Sequence, residues 1–361
     1  MPLPIRRTLA ASFVALLSIA RPAAGQGFVL ATPDSSAKII FGGRVQTIFN
    51  TTSEDDAPVA QTELRRVRLE ATLQLNELVH GRIQPEFAGS RVVLKDAYVR
   101  LNLDPAAQVW AGQAHRPFGV ISPISSVRMA PIERGVRIRG LSNAYDEYNI
   151  ISNLGYSDRD VGLQLRGEPR DAPLGFSYAV GYFNGPAVHE APDENTWQGV
   201  ARVMVRPAGR VRLGASWSRI DFVMEDTLDD DELIDAGQAW ALDMELGNDR
   251  GGVHVIGEVA YGDFDPFQDA KFFGAQGWVS YRTGRVSHRI SAVEPLLRVS
   301  YGNPDLNDDG DIFPATGGTL VTPGVNLWLG GLNRFALNWE AWTPEDGDFV
   351  HSFKALFQLA F

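Results

Sequence analysis

The sequence has no cysteine, which excludes disulfide frameworks, thiolate metal sites and cysteine nucleophiles. Lysine is almost as scarce, with Lys38, Lys95, Lys271 and Lys354 the whole complement. The net charge is −11, so the basic surface expected of a nucleic-acid binder is missing. Long apolar runs are missing as well. The longest, from Leu9 to Ala20, falls short of the ~20 residues that a spanning helix requires. With Arg6 and Arg7 before it and Ala23-Ala24-Gly25 after it, this run reads as a secretory signal peptide over residues 1–25. The mature chain is then 26–361. It loses three arginines and no acid with the leader, becoming more acidic still.

What the chain does have is period-two alternation. Between Leu64 and Asn76, Val67, Leu69, Ala71, Leu73 and Leu75 share one face, while Arg66, Arg68, Glu70, Thr72, Gln74 and Asn76 share the other. A helix would mix these sets and a strand separates them. Ala97, Val99, Leu101 and Leu103 are divided in the same way from Asp96, Tyr98, Arg100 and Asn102. The pattern repeats at Val161–Arg166, Arg202–Arg206 and Trp240–Leu246. Short turns such as Pro207-Ala208-Gly209 alternate with longer polar connections at Ser53–Thr62, Pro186–Thr196, Glu225–Gly237 and Asn303–Gly318. This spacing predicts an all-β, transmembrane antiparallel barrel of about 16 strands, with short turns on one rim and long loops on the other. Trp240, Trp278, Trp328, Trp339 and Trp342 are expected near the ends of the apolar faces. A water-soluble β-sandwich would also alternate, but it would not need so many arginines and carboxylates on its polar faces.

The last strand carries Phe353, Ala355, Phe357, Leu359 and Phe361 in alternation up to the carboxylate. A terminal Phe in this setting resembles the signature that the barrel assembly machinery reads in outer-membrane proteins. Together with the leader, it points to the bacterial outer membrane.

A series of short segments runs in order along the mature chain: Gly43-Arg44-Val45-Gln46, Arg65-Arg66-Val67-Arg68-Leu69-Glu70, Gly81-Arg82-Ile83-Gln84-Pro85-Glu86-Phe87, Asp96-Ala97-Tyr98-Val99, Gly112-Gln113 with Arg116-Pro117-Phe118-Gly119, and Ile132-Glu133-Arg134. Tyr182-Phe183-Asn184-Gly185, Glu294–Tyr301 and Gly324-Val325-Asn326-Leu327-Trp328 follow. In this order they resemble the phosphate-selective porin O and P family. The resemblance implies a sixteen-stranded trimeric porin, loops folded into the lumen, and an anion path lined by an arginine ladder with lysine clusters at its entrances. The scarcity of lysine and the acidic long loops depart from that pattern, so a general channel for ions and small polar solutes fits better than a phosphate-specific one.

Such a channel needs fixed charges at a wetted constriction rather than covalent chemistry. Pro117–Tyr156, long and directly after the Pro117-Phe118 motif, is the expected constriction loop; it carries Arg128, Glu133, Arg134, Arg137 and Arg139. Arg66, Arg68, Arg82, Arg100, Arg166, Arg202 and Arg298 fall on expected lumen faces. Guanidinium forks suit passing carboxylates and phosphates. The competing role is to brace the wall by pairing with Glu70, Glu86, Asp96, Glu258 and Glu294.

Asp305, Asn307, Asp309 and Asp311 alternate around Gly310 like the start of a calcium loop, but its twelfth position is Thr316 in place of a bidentate glutamate. A solvated acidic turn is the favoured reading, and calcium is the sole cofactor to consider. The run Glu225–Asp235 reads as an exposed outer loop. The histidines show no ligand spacing and no nucleophile-elbow or phosphate-loop motif occurs, so no enzymatic activity is expected. Expected partners are membrane lipid and lipopolysaccharide, the assembly machinery, small ions and solutes, and further copies in a homotrimer. A plugged binding or adhesion barrel and an outer-membrane hydrolase are the alternatives.

Overall fold

The computed structural model describes residues 21–22, 27–34, 36–53, 59–134, 137–139, 147–185, 196–225, 232–266, 269–304, 317–345 and 348–361. Sixteen antiparallel strands close into a barrel: β1 (Lys38–Ser53), β2 (Val59–Gln74), β3 (Val79–Glu86), β4 (Val93–Asp104), β5 (Ala107–His115), β6 (Arg159–Gly167), β7 (Ser177–Phe183), β8 (Gln198–Ala208), β9 (Val211–Glu225), β10 (Glu232–Gly247), β11 (Gly252–Asp265), β12 (Ala270–Arg282), β13 (Ala292–Asn303), β14 (Gly318–Gly330), β15 (Asn333–Pro344) and β16 (Val350–Ala360). Each pairs with its sequence neighbours. The ring is sealed where β16 meets β1, from His351↔Ser53 to Ala360↔Arg44. The short strand Phe28–Ala31 also pairs with the start of β1, and Arg21–Pro22, within the expected leader, pairs with it in turn.

Closure leaves no free sheet edge, which satisfies the backbone inside a bilayer. Alternation then assigns the faces. Leu69, Val99, Leu101, Leu163, Leu165, Val203, Trp240, Leu242, Phe353, Phe357 and Leu359 are all exposed on the outside, where lipid takes the place of water. Among the described residues no helix is long and apolar enough to cross a membrane; the strands are the crossing elements.

Three features differ from strict expectation. Trp278, Trp328 and Trp342 are buried, not part of an outer aromatic belt. Their registers place them on the inner face, as in Ile256↔Trp278↔Arg298. Trp240 and Trp339 do face outward. Second, β9 and β10 enter the acidic run from both ends, pairing as far as Glu225↔Glu232, so Asp235 belongs to a strand paired with Phe222. The third is a bulge in β2. The β1–β2 register passes from Gln46↔Arg66 to Thr47↔Leu64 and skips Arg65. A bulge places two residues of one strand against one of its partner and breaks the alternation of faces.

The connections at 75–78, 105–106, 209–210, 248–251 and 331–332 are short and share one rim with the start of β1 and with Phe361. The opposite rim carries the longer segments at 116–158, 184–197 and 304–317. The first of these does not stay at the rim.

Candidate functional site

The segment after β5 turns inward. Arg116 anchors its base, its Nη2 donating to Asp160 Oδ2 at 2.8 Å and to the Gly185 carbonyl at 3.0 Å. Gly119 follows with φ +69, and a Cβ there would lie 2.3 Å from Glu258 Oε2. Glycine is therefore required both by the backbone angle and by the close approach. That approach lets the Val120 and Ile121 amides donate to Glu258 Oε2 at 2.6 and 3.1 Å.

The chain then runs along the inner wall, fastened largely through its own backbone. Arg334 donates to the Met129 carbonyl at 2.6 Å and Asn326 to the Ala130 carbonyl at 2.9 Å. Gln358 donates to Val127 O at 3.1 Å, and the Ile132 amide donates to Asn338 Oδ1 at 2.8 Å. Arg44 reaches Ser125 Oγ at 3.0 Å and Arg298 reaches Glu133 O at 2.8 Å. Ile121, Met129 and Ala130 pack on Ile256, Trp278 and Leu296, and Ile132 packs on Ile48, Ala336 and Leu356. Higher up, Phe118, Ile150, Ile151 and Tyr156 join Phe183, Val200, Ile220, Phe272 and Trp342 in a larger buried cluster. Inward-facing apolar residues on these strands thus serve as a docking surface for the loop.

The expected constriction residues take different positions. Arg128 reaches down to Asp249 in a short turn, 3.0 Å away. Glu133 is gripped by Arg65, whose Nε and Nη2 each donate at 2.9 Å to one carboxylate oxygen. Arg65 can do this because the bulge releases it from the outward face. Arg134 donates to the Ser122 and Ile124 carbonyls at 2.5 and 2.8 Å. Burial, with Arg66, Arg159 and Arg68 close by, pushes its guanidinium down to about 9 despite Asp158. Arginine stays charged at neutral pH, so the loop carries a full positive charge here. Arg137 and Arg139 belong to a short ladder with Glu147–Asn149, but their side chains lie outside the described residues. Asp305, Asn307, Asp309 and Asp311 lie outside them entirely.

The wall arginines divide into two groups. Arg68 pairs with Glu86 at 2.5 Å, Arg82 with Glu70 and Asp96 at 2.7 and 3.2 Å, and Arg202 with Asp243 at 2.5 Å. These brace the wall. Arg66, Arg100 and Arg166 make no ion pair with a carboxylate among the described residues, and neither does Arg134. Arg66 donates to Gln46 Oε1 at 3.1 Å, Arg100 contacts His80 Nδ1, and Arg166 donates to Gln164 and to the His115 carbonyl. Arginines that the sequence had not assigned to the lumen or the constriction also enter the site: Arg44, Arg65, Arg116, Arg159 and Arg334. Arg44 and Arg334 fall on alternating polar faces and were open to detection; Arg65 was not.

Two cavities flank the loop. One, of about 330 Å³, lies between its Pro117–Pro123 stretch and β5–β8 and reaches the short-turn rim at Glu168. The other, of about 150 Å³, is lined by Lys95, Gln113, Arg116, Asp158 and Arg159 and by the stretch around Asn153.

Residues 41–167 match the family model described as phosphate-selective porin O and P. This stretch runs from within β1 to the end of β6 and includes the whole inward loop. No curated protein matches the sequence. Among solved structures, the outer-membrane channel DcaP of Acinetobacter baumannii superposes with a TM-score of 0.59 at 12% identity, over 92% of this chain and 100% of that one. OprB of Pseudomonas putida gives 0.62 at 9% identity, over 90% and 94%. An anion-selective porin from Comamonas acidovorans gives 0.56 at 12%, over 90% and 100%. At these identities the likeness is one of fold. With the family match and the apolar outer surface, it identifies a bacterial outer-membrane β-barrel of the porin type.

Proposed function

We propose that this porin admits small polar solutes and ions by passive diffusion and favours anions over cations. The observation that carries the reading is the set Arg66, Arg100, Arg134 and Arg166, whose guanidinium groups meet neutral acceptors in place of carboxylates. A guanidinium already neutralised by a wall carboxylate attracts a passing anion weakly; one held by amides and carbonyls keeps its full charge. These four lie on or beside β2 to β6, and on the opposite wall Glu258 and Glu294 are held by loop amides, by Ser280 and by the Asn326 and Trp328 side chains in place of cations. A charge asymmetry of this kind sets up a field across the lumen that orients polar solutes and disfavours apolar ones. With four lysines in the chain, we do not extend the preference to phosphate in particular. The homotrimer and the contacts with lipopolysaccharide and the assembly machinery belong to the same proposal.

The plugged-barrel reading draws support from the apolar cluster that fills part of the lumen around Phe118, Ile150 and Tyr156. Single-channel recording in a planar bilayer decides between the two. A reversal potential in asymmetric KCl that reports chloride preference supports the channel as proposed. Cation preference removes the role given to the four arginines, and absence of conductance favours the plugged barrel.

A further inference from the structure

Resting on the channel reading, the geometry points to a subsite for small aromatic carboxylates on the short-turn side of the loop. We infer it from a cluster on β4, β5 and β6. Arg100, Trp110 and Gln164 stand directly opposite one another across these three strands. The Trp110 ring is stacked against Tyr98 at 4.6 Å between centroids. The Arg166 guanidinium carbon lies 4.4 Å from the same ring centroid and that of Arg100 5.4 Å. Two guanidinium groups drawn to one ring are a costly arrangement unless something anionic joins them, because they repel. No carboxylate among the described residues pairs with either one.

Trp110 and Arg166 border the cavity of about 330 Å³. The rest of its lining includes Met204 on the wall and Pro117, Val120 and Pro123 on the loop, so the space is mainly apolar with a cation at its edge; the one carboxylate that borders it among the described residues, Glu168, is exposed at the rim and 3.6 Å from Arg206. Arg202 also borders it but is already bound to Asp243. Inorganic phosphate would surrender much of its hydration against this lining for a single available guanidinium, which is unfavourable. An aryl carboxylate divides its chemistry as the cavity does: the ring lies among Met204, Val120 and the prolines beside Trp110, and the carboxylate meets Nη1 of Arg166, whose Nε and Nη2 are held by Gln164 and the His115 carbonyl. Size allows it, since an apolar cavity on the order of 150 Å³ already accepts benzene. The subsite lies under the loop, so it adds selectivity by chemical class to the charge preference of the lumen.

The test is benzoate against acetate and inorganic phosphate, each added to the short-turn side of the full-length mature porin in a planar bilayer while chloride current is recorded. Benzoate is expected to interrupt the current at concentrations at least about tenfold below acetate or phosphate. Trp110→Ala and Arg166→Gln should each raise the half-blocking concentration about tenfold, and Trp110→Phe, a milder change for folding, should raise it less. Equal action of benzoate and acetate, or wild-type benzoate sensitivity in Trp110→Ala and Trp110→Phe, overturns the subsite. Calorimetric titration of benzoate into the detergent-solubilised protein separates this from failure of the channel reading. A protein that does not conduct but binds benzoate through Trp110 upholds the subsite and removes the channel. One that conducts without binding benzoate does the reverse.

Discussion

The two sides of the lumen handle charge in opposite ways. On the wall of β2 to β6, arginines outnumber their acceptors, and several are left with amides, a histidine or an indole face. On the wall of β9 to β16, charged groups are consumed by structure: Glu258 holds loop amides, Arg334 holds loop carbonyls, and Lys354 and Glu340 pair at 2.8 Å, both almost fully buried. The loop lies against this second wall and fills it with apolar contacts. Docking the loop there leaves the other wall's guanidinium groups to meet what enters. The same residue type is thus a fastener on one side and a filter on the other, and the difference lies in what the neighbouring strands place within reach.

Removing a fastener should have the largest effect, and on stability rather than selectivity. Lys354→Met leaves the Glu340 carboxylate without the ammonium that faces it, at a cost of about 3 kcal/mol. Urea unfolding of the solubilised barrel should show the loss while the chloride-to-potassium permeability ratio stays near wild type; a changed ratio would blur the division between the walls. Arg65→Ala bridges the two classes. It strips Glu133 of its forked partner and should cost about 2 kcal/mol, less than the first because Arg65 is partly exposed. Its sharper signature is a noisier open-channel current from a looser loop, and a quiet current would argue that the wall contacts suffice.

Removing filters should do the reverse. Arg66→Ala combined with Arg134→Ala should lower the anion-to-cation permeability ratio about fivefold, equivalent to ~1 kcal/mol of lost attraction. An unchanged ratio would move the selectivity elsewhere. The smallest expected effect is that of Asp158, at the base of the loop. Burial would raise its carboxyl, but Arg159, Lys95, Arg134 and Arg116 prevail and hold it below the ordinary value of 3.8. A folded-state value below the unfolded one means that its stabilising contribution is present above the unfolded pKa and is lost as pH falls through the folded one. Thermal unfolding temperatures measured from pH 5 to pH 3 should therefore fall less steeply in Asp158→Asn than in wild type. Parallel slopes would count against it.

The barrel was legible because alternation in a lipid-facing strand is a local property. Leu69, Val99, Leu163, Trp240 and Phe357 reveal their face without reference to any partner. The inward loop was legible from length and position, and Arg68, Arg82 and Arg202 from their place on polar faces. What escaped depends on distant neighbours. Arg65 sits on the apolar face by count, and only the register of β1 against β2 shows that the chain slips there. Trp278, Trp328 and Trp342 look like belt residues by type, yet their inward faces are dry because the loop covers them or because, as at Trp328, Arg282 lies 3.9 Å from the ring. Which arginines brace and which remain available was undecidable from composition, since it depends on which acid lies opposite on the next strand.

The loop's fastenings have a consequence for the order in which the molecule is built. Its anchors come from both ends of the chain: Arg44 and Arg65 in the first two barrel strands, and Asn326, Arg334, Asn338 and Gln358 in the last three. Contacts so far apart in sequence form late, after the intervening chain has been ordered. Until β16 meets β1, the groove that receives residues 125–134 does not exist. The lumen is therefore narrowed only after the ring is sealed, and a barrel caught before that moment is a wide hole with an undocked loop.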